Sequence, residues 1–412
     1  MKRRVLFFAL VLYLILSFGF ADGLNITGYV RNYDGVLLND NMDFSIVQNT
    51  LDLNFTMQTS KVGFKVNPYI YQYSDKTIVF DIREAFLDFF FNSFDIRIGK
   101  QQIIWGKADG VFITDIISPK DLSEFLLRDF EEIRMGVTAV KLDYYIGDNT
   151  FELVWVPVFS ATKFPAQNSI WAITPALPIQ PIFDFSRKDI KPSIKNSEIF
   201  AKYSVFSSVM DFELMGGYTW DADPVIHTLK QIDPLTHQLL SLTAIPEHHR
   251  LTVAGGSFST TIGPVVIRGE GAYYWGKHFQ SNNPAIRDGV IEKDYVNYLL
   301  GADFSISGIK FSTQFIQQII PDYNNFIVNN KTNNLMTVLA RKNFLEGDIL
   351  HLELFSYIGL TDGDGLIRPK ISYDITDGVN IMLGANIFFG DKGMFGRFNK
   401  NDMVYMKIKY SF

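Results

Sequence analysis

The last nine residues read VYMKIKYSF, Val404 to Phe412. Val404, Met406, Ile408, Tyr410 and Phe412 share one parity, and Tyr405, Lys407, Lys409 and Ser411 take the other. Successive side chains of a β-strand point to opposite faces, so this segment reads as a strand with one greasy face and one mostly polar face. A soluble core can hold such a strand. A chain terminus, however, frays unless something ties it down.

The same alternation recurs along the chain. Leu51, Leu53, Phe55 and Met57 alternate with Asp52, Asn54, Thr56 and Gln58. Val265, Ile267, Gly269, Gly271, Tyr273 and Trp275 face one way, opposite Val266, Arg268, Glu270, Ala272 and Tyr274. Val379, Ile381, Leu383, Ala385, Ile387 and Phe389 form another apolar row. Breaks between these runs alternate in length. Short ones fall near Ser60, Asn92-Ser93, Gly147 to Asn149, Ser207 to Asp211, Gly263-Pro264, Ser307-Gly308, Leu345 to Gly347 and Thr376 to Gly378. Between them lie long ones: Asp34–Asn41, Ser74–Ile82, Gly106–Glu132, Ser160–Asn196, Asp221–His248, Gly276–Lys293, Pro321–Thr332, Thr361–Gly365 and Gly390–Asn401.

A meander with tight turns at one end and long loops at the other has its two ends in different surroundings. This predicts an all-β fold: a transmembrane antiparallel up-and-down β-barrel of about 18 strands (16–18), with short periplasmic turns and long extracellular loops. Closure pairs every backbone N–H and C=O without an edge, as hydrocarbon demands. The final strand then closes against the first and cannot fray. Aromatic clusters such as Tyr69, Tyr71 and Tyr73, or Tyr273, Tyr274 and Trp275, suit interfacial girdles. Phe151–Phe159 fits least well, because Pro157 removes a ladder donor; it is expected at the outer rim.

Bulk properties agree. Met1-Lys2-Arg3-Arg4 is a basic head, Val5–Phe20 an apolar run, and Gly19-Phe20-Ala21 a small-residue cut site. Residues 1–21 thus read as a secretory signal peptide cleaved after Ala21, and residues 22–412 as one outer-membrane barrel of a diderm bacterium. No later stretch reaches the roughly 18 apolar residues of a membrane helix. Without Lys2, Arg3 and Arg4, 35 of the 38 basic residues face 44 acidic ones, a formal charge of −9. An acidic exported chain is a poor nucleic-acid binder. It holds no cysteine, so no disulfide staples it.

One long break differs from the rest. Ile96 to Arg134 reads IRIGKQQIIWGKADGVFITDIISPKDLSEFLLRDFEEIR. Alternation fails after Trp105, Gly106 and Gly110 permit tight turns, and Pro119 with Asp121 suits entry to a short helix. Phe112, Ile113, Ile116, Ile117, Leu122, Phe125, Leu126 and Leu127 are more apolar groups than a solvated loop uses. The segment 106–132 is therefore expected to fold into the lumen and narrow it, with an ordered external cap as the alternative. Lys107, Asp109, Asp115, Lys120, Asp121 and Arg128 supply its charges. Arg97, Lys141, Arg268 and Glu270 are wall candidates for the same constriction.

The segment also resembles a family. Its IGKQQIIWGKADGVFITDIISPKDLSEF is similar to the R-x-G-[KR]-Q…WG…DI-[IN]-[SN]-P-x-D signature of poorly characterised Gram-negative porin-like proteins, distantly similar to alginate-export-type barrels. The resemblance covers Gly99, Gln101, Trp105, Gly106, Asp115, Ile116, Pro119 and Asp121. It implies a monomeric outer-membrane channel and names no solute. Tyr410 and Phe412, ending an amphipathic strand, resemble the C-terminal signal read by the barrel-assembly machinery.

Motifs for catalysis are not found. G-x-S-x-G, phosphate-loop and H-E-x-x-H patterns are missing. His248-His249 beside Glu247 reads as no metal site, because adjacent strand residues face opposite ways. His351 and Glu353 read as lumen polar groups, and Asp362-Gly363-Asp364-Gly365 as an outer turn without the later ligands of a calcium loop. The expected function is a porin: diffusion of small polar or ionic solutes through a loop-narrowed lumen, with no enzyme activity, no cofactor and no metal. Expected partners are outer-membrane lipid, the assembly machinery and small solutes. The alternatives are a substrate-specific channel for hydrophobic or aromatic compounds, and a plugged adhesin or structural barrel binding through its outer loops.

Overall fold

The computed structural model describes residues 23–173, 179–233, 235–236 and 238–412. The expected signal peptide lies outside the described residues. Among the described residues, twenty-one strands follow in chain order. The first seven are β1 (Asn25–Leu37), β2 (Phe44–Gln58), β3 (Val62–Tyr73), β4 (Ile78–Phe90), β5 (Phe94–Gln101), β6 (Val137–Ile146) and β7 (Asn149–Val156). Next come β8 (Ile182–Phe183), β9 (Glu198–Val205), β10 (Met210–Trp220), β11 (Val225–Ile232), β12 (Leu239–Glu247), β13 (Arg250–Ile262) and β14 (Val265–Gln280). The last are β15 (Val290–Ile306), β16 (Ile309–Ile319), β17 (Thr332–Phe344), β18 (Leu350–Gly359), β19 (Asp364–Thr376), β20 (Val379–Phe389) and β21 (Met403–Ser411). Two single-turn helices, α1 (Phe130–Ile133) and α2 (Gly393–Gly396), complete the elements used below.

Eighteen of these strands form one sheet in which chain neighbours pair antiparallel. β1 pairs with β2 on one side and with β21 on the other, from Tyr29 opposite Ser411 to Leu37 opposite Met403. The sheet is therefore a closed barrel. Phe412 is tied in as well: its N–H donates to Gly28 C=O at 3.0 Å, and Gly28 N–H returns to Phe412 C=O at 2.9 Å. The terminus is held because the wall needs it.

The parity of the last strand sets its faces. Val404, Met406, Ile408, Tyr410 and Phe412 are exposed on the outer wall, whereas Tyr405 and Lys407 are buried inside. Leu87, Ile98, Leu214, Leu300 and Leu383 continue the apolar outer surface around the barrel. Tyr273 and Trp275 lie side by side on β14, their rings tilted at 45° with centroids 4.6 Å apart. An apolar band around a closed sheet has all its backbone polar groups paired within the wall, the condition for standing in hydrocarbon.

The connections sort by end. At one rim they are 59–61, 91–93, 147–148, 206–209, 263–264, 307–308, 345–349 and 377–378. The other rim carries the segments 102–136, 157–197, 221–249, 281–289, 320–331 and 390–402, along with the shorter 38–43, 74–77 and 360–363. Several expected long breaks are thus corrected. Strand β14 runs on to Gln280 past an irregularity between Tyr274 and Lys277, where Gly276 takes φ +81°. The break expected at Asp221–His248 contains the hairpin β11–β12, joined by β8 into a separate three-stranded sheet. Strand β7 ends at Val156, so Pro157 falls just outside the ladder and breaks no bond. Pro68 does sit inside a strand, and there the β3–β4 register shifts between Asn67 and Pro68 to absorb the missing donor.

Candidate functional site

The segment 106–132 leaves β5 and crosses the barrel interior. Its first half bonds to inward side chains on the far side. Glu270 of β14 accepts Lys107 N–H at 2.7 Å and Thr114 N–H at 3.2 Å. Gln314 of β16 accepts Asp109 N–H at 2.9 Å and donates to Asp109 C=O at 2.7 Å. Tyr357 of β18 donates its hydroxyl to Gly110 C=O at 2.7 Å, and Tyr274 donates to Ile113 C=O at 2.7 Å. Arg268 pairs with Asp109 and donates to Lys107 C=O. The second half returns along a different sector. Arg368 of β19 donates to Leu126 and Leu127 C=O, each at 3.0 Å. Arg31 of β1 meets Glu132 at 2.9 Å, and Lys407 of β21 meets Asp129 at 3.1 Å. Strands β5, β14, β16 and β18 stand on opposite sides of an eighteen-stranded ring. A segment that touches all four spans the lumen.

The family-like residues build the anchor of this crossing. Asp115 Oδ1 accepts Trp105 N–H at 2.8 Å and Gly106 N–H at 2.7 Å, while its Oδ2 takes Arg134 Nη2 at 2.6 Å. A Cβ on Gly106 would come to 3.0 Å from the Asp115 carboxylate, a tight approach that glycine avoids. Gly99 sits at φ +136°, and a Cβ would meet Ala85 C=O at 2.3 Å. Gln101, fully buried, donates to Ala139 C=O at 3.1 Å. Trp105 Nε1 donates to Glu152 at 2.5 Å, and Ile116 packs beside the Trp105 cluster. Pro119 C=O takes Met135 N–H at 2.8 Å, which ties the middle of the segment to the residues that lead into β6.

The remaining charges brace the segment internally, against the neighbouring loop and against the wall. Asp121 accepts Ser123 N–H at 3.0 Å and pairs with Lys163 at 3.0 Å and Arg128 at 3.6 Å. Burial works against the Asp121 anion, but Arg128 and Lys163 outweigh it and hold the carboxyl below its usual range. Glu132 behaves alike: burial opposes ionisation, and Arg31 more than offsets it. Arg128 also meets Glu124 at 2.6 Å. Lys107 Nζ reaches Glu213 at 3.5 Å, and Lys120 Nζ lies 5.5 Å over the Phe112 ring. Two wall candidates stand apart from the crossing. Arg97 grips Asp88 on β4 at 2.7 Å and covers Phe86, near a tight turn; Lys141 holds Asp143 at 2.5 Å. Arg268 and Glu270 join the segment directly.

Cavities lie on both sides of the crossing. Toward the tight turns, a cavity of about 1000 Å³ is lined by Arg31, Asp52, Arg83, Asp129, Glu131, Glu132 and Lys407. Toward the long loops, one of about 250 Å³ is lined by Phe112, Asp115, Lys120, Asp221, Tyr274 and Lys277. A side pocket of about 210 Å³ joins Asp109 and Asp129 to Arg128, Arg341, Arg368 and Lys370. Above it, Phe125 packs with Trp171, Phe388, Phe395 and Phe398.

Sequence reasoning missed Trp171, Arg31 and Arg368. The two arginines carry a signal, an inward-parity base in an alternating strand. Trp171 carries none, since its contacts come from three distant segments. His351 and Glu353 are engaged separately, the former with Asp374 at 2.9 Å and the latter with Lys370 at 2.9 Å. Asp364 accepts Phe395 N–H at 2.7 Å, which makes the outer turn the seat of α2.

Three solved structures share this architecture at low identity. Pseudomonas aeruginosa OccK8 (OprE) matches at TM-score 0.57 and 10% identity, over 96% of this chain and 99% of that one. OccK2 (OpdF) of the same organism, in complex with glucuronate, matches at 0.56 and 12%, over 94% and 97%. The outer membrane protein opdK, also from Pseudomonas aeruginosa, matches at 0.55 and 11%, over 95% and 100%. No curated protein matches the sequence. Residues 31–334 match the family described as "Protein of unknown function (DUF1302)", and the chain belongs to that family.

Proposed function

We propose that this protein is an outer-membrane porin that passes small polar or ionic solutes by diffusion, and that the segment 106–132 sets the size and charge limit of its lumen. One observation carries the reading. A closed wall, apolar outside, holds a polar interior that a tethered segment crosses between cavities of about 1000 and 250 Å³. A barrel of about 18 strands is wide enough for an aqueous channel. Diffusion through it needs no catalytic group and no cofactor. The outer membrane of a diderm bacterium is its expected location, with the tight turns periplasmic and Tyr410 and Phe412 serving assembly.

The lumen mixes charges: Arg83 faces Asp52 at 3.3 Å, Lys65 faces Glu84 at 2.6 Å, and Arg268 faces Asp303 at 3.2 Å. Such a lumen suits small solutes better than a threaded polyanion, which speaks against an alginate-type cargo. The side pocket sets Arg128, Arg341, Arg368 and Lys370 beside Asp109, Asp129 and Glu353, and its four bases are where a small carboxylate would be met; the glucuronate held by OccK2 is one. The Phe125–Trp171 cluster favours a second reading, a channel for aromatic solutes. Swelling of proteoliposomes separates them. Uptake of small sugars and sugar acids supports the polar channel. Uptake confined to aromatic compounds supports the second reading, and no uptake of any solute contradicts both.

A further inference from the structure

The hairpin β11–β12 brings together residues that the linear sequence keeps apart. His227 on β11 points Nε2 at His249 Nε2, 2.9 Å away, and the two lie 22 positions apart. Glu247, ending β12, places Oε2 3.8 Å from His227 Nε2. The ligand atoms of His227, Glu247 and His249 all lie within 4.8 Å of one another. We propose that these three residues form a site for one borderline divalent transition-metal ion, zinc being the reference, which clamps the outer hairpin to the barrel rim.

The chemistry fits on five counts. Two imidazoles and a carboxylate are a recognised zinc donor set. A tetrahedral ion with N bonds of ordinary length spaces its two nitrogens roughly 3.3 Å apart, a small opening from the distance seen. His227 Nδ1 faces Asp288 Oδ2 at 3.0 Å, the outer-shell carboxylate that fixes the tautomer and leaves the Nε2 lone pair free for a metal. His249 is held flat by His278, whose ring stacks on it at 3.6 Å and 7°. Arg187 Nη1 meets Glu247 at 3.2 Å and orients that carboxylate. Nearby, His249 C=O accepts Asp221 N–H at 2.7 Å, and Asp221 lines the outer lumen cavity, so the clamp would stand at the cavity's edge. The inference does not depend on what the channel passes.

The test uses the full chain in detergent, stripped with a chelator and titrated with zinc chloride by calorimetry. One equivalent is expected to bind to the wild type, with magnesium unable to compete because imidazole nitrogen favours the softer ions. His227→Gln and His249→Gln are expected to weaken binding at least tenfold, and Asp288→Asn by about tenfold or more. His248→Gln is expected to stay within twofold, since its Nδ1 faces Asp221 C=O instead. Heat-modifiable electrophoretic mobility checks that each variant is folded. X-ray absorption of the zinc-loaded wild type supplies a readout that needs no variant, with two imidazole nitrogens in the shell expected. Absent zinc binding, wild-type affinity in folded His227→Gln and His249→Gln, or an all-oxygen shell would each overturn the proposal.

Discussion

Asp115 shows how one carboxylate sets the course of the crossing segment. One oxygen collects the Trp105 and Gly106 N–H groups, and the other faces Arg134. Asp115→Asn keeps an acceptor for the two N–H groups but leaves Arg134 without its buried anion, a loss on the order of 3 kcal/mol. That is enough to loosen one segment and too little to open eighteen paired strands. The expected outcome is larger, noisier single-channel current with unchanged heat-modifiable mobility; a quiet channel of wild-type size would refute the anchor. Protonation acts on the same segment. Asp121 and Glu132 titrate below their usual range in the folded state, so their contribution is present above the ordinary carboxylate pKa of about 4 and is lost as pH falls through and below it. Conductance is expected to stay flat from pH 7 to about 5 and to rise in stronger acid. A rise already complete by about pH 6 would contradict this assignment. The histidines mark the limit of linear reading. His248-His249 offers no site by strand parity, and His249 finds its partner only because the hairpin β11–β12 returns His227 to it.

At the scale of the element, the wall was legible because hydrocarbon and water sort alternate residues, and that sorting is written at a period of two. The tight turns fell where Gly147, Gly263, Gly308 and Gly378 adopt positive φ. The long-loop end was less legible. Strands β11 and β12 continue beyond the barrel, where neither face meets lipid and the alternation loses its meaning. The crossing of 106–132 showed itself as surplus apolar residues, but its partners, Tyr357 and Gln314 among them, come from strands more than two hundred positions away. One wall element breaks the apolar rule. Asp34 of β1 lines a groove of the outer face with Val36, Leu383, Val404 and Met406, and takes an Asn32 amide at 3.4 Å. A carboxylate on the lipid side weakens a barrel, acids less than bases. Asp34→Val is expected to stabilise the protein by about 1–2 kcal/mol in urea unfolding from lipid vesicles. A destabilised variant would mean that this face is not against lipid.

For the molecule as a whole, a cylinder closed by β1 and β21 solves the backbone problem and leaves an interior free to be polar. What fills that interior decides the function. The segment 106–132 bonds to β14, β16, β18, β19, β1 and β21, so it behaves as a strut fixed at several points and not as a swinging flap. Its removal enlarges the lumen without cutting the wall. The direct measurement is single-channel current in planar bilayers for the wild type and for a chain lacking Val111–Glu131, recorded side by side in the same salt. Discrete open steps from the wild type are predicted, with clearly larger steps after the deletion. Equal steps from a folded deletion variant, or silence from both proteins, would contradict the account.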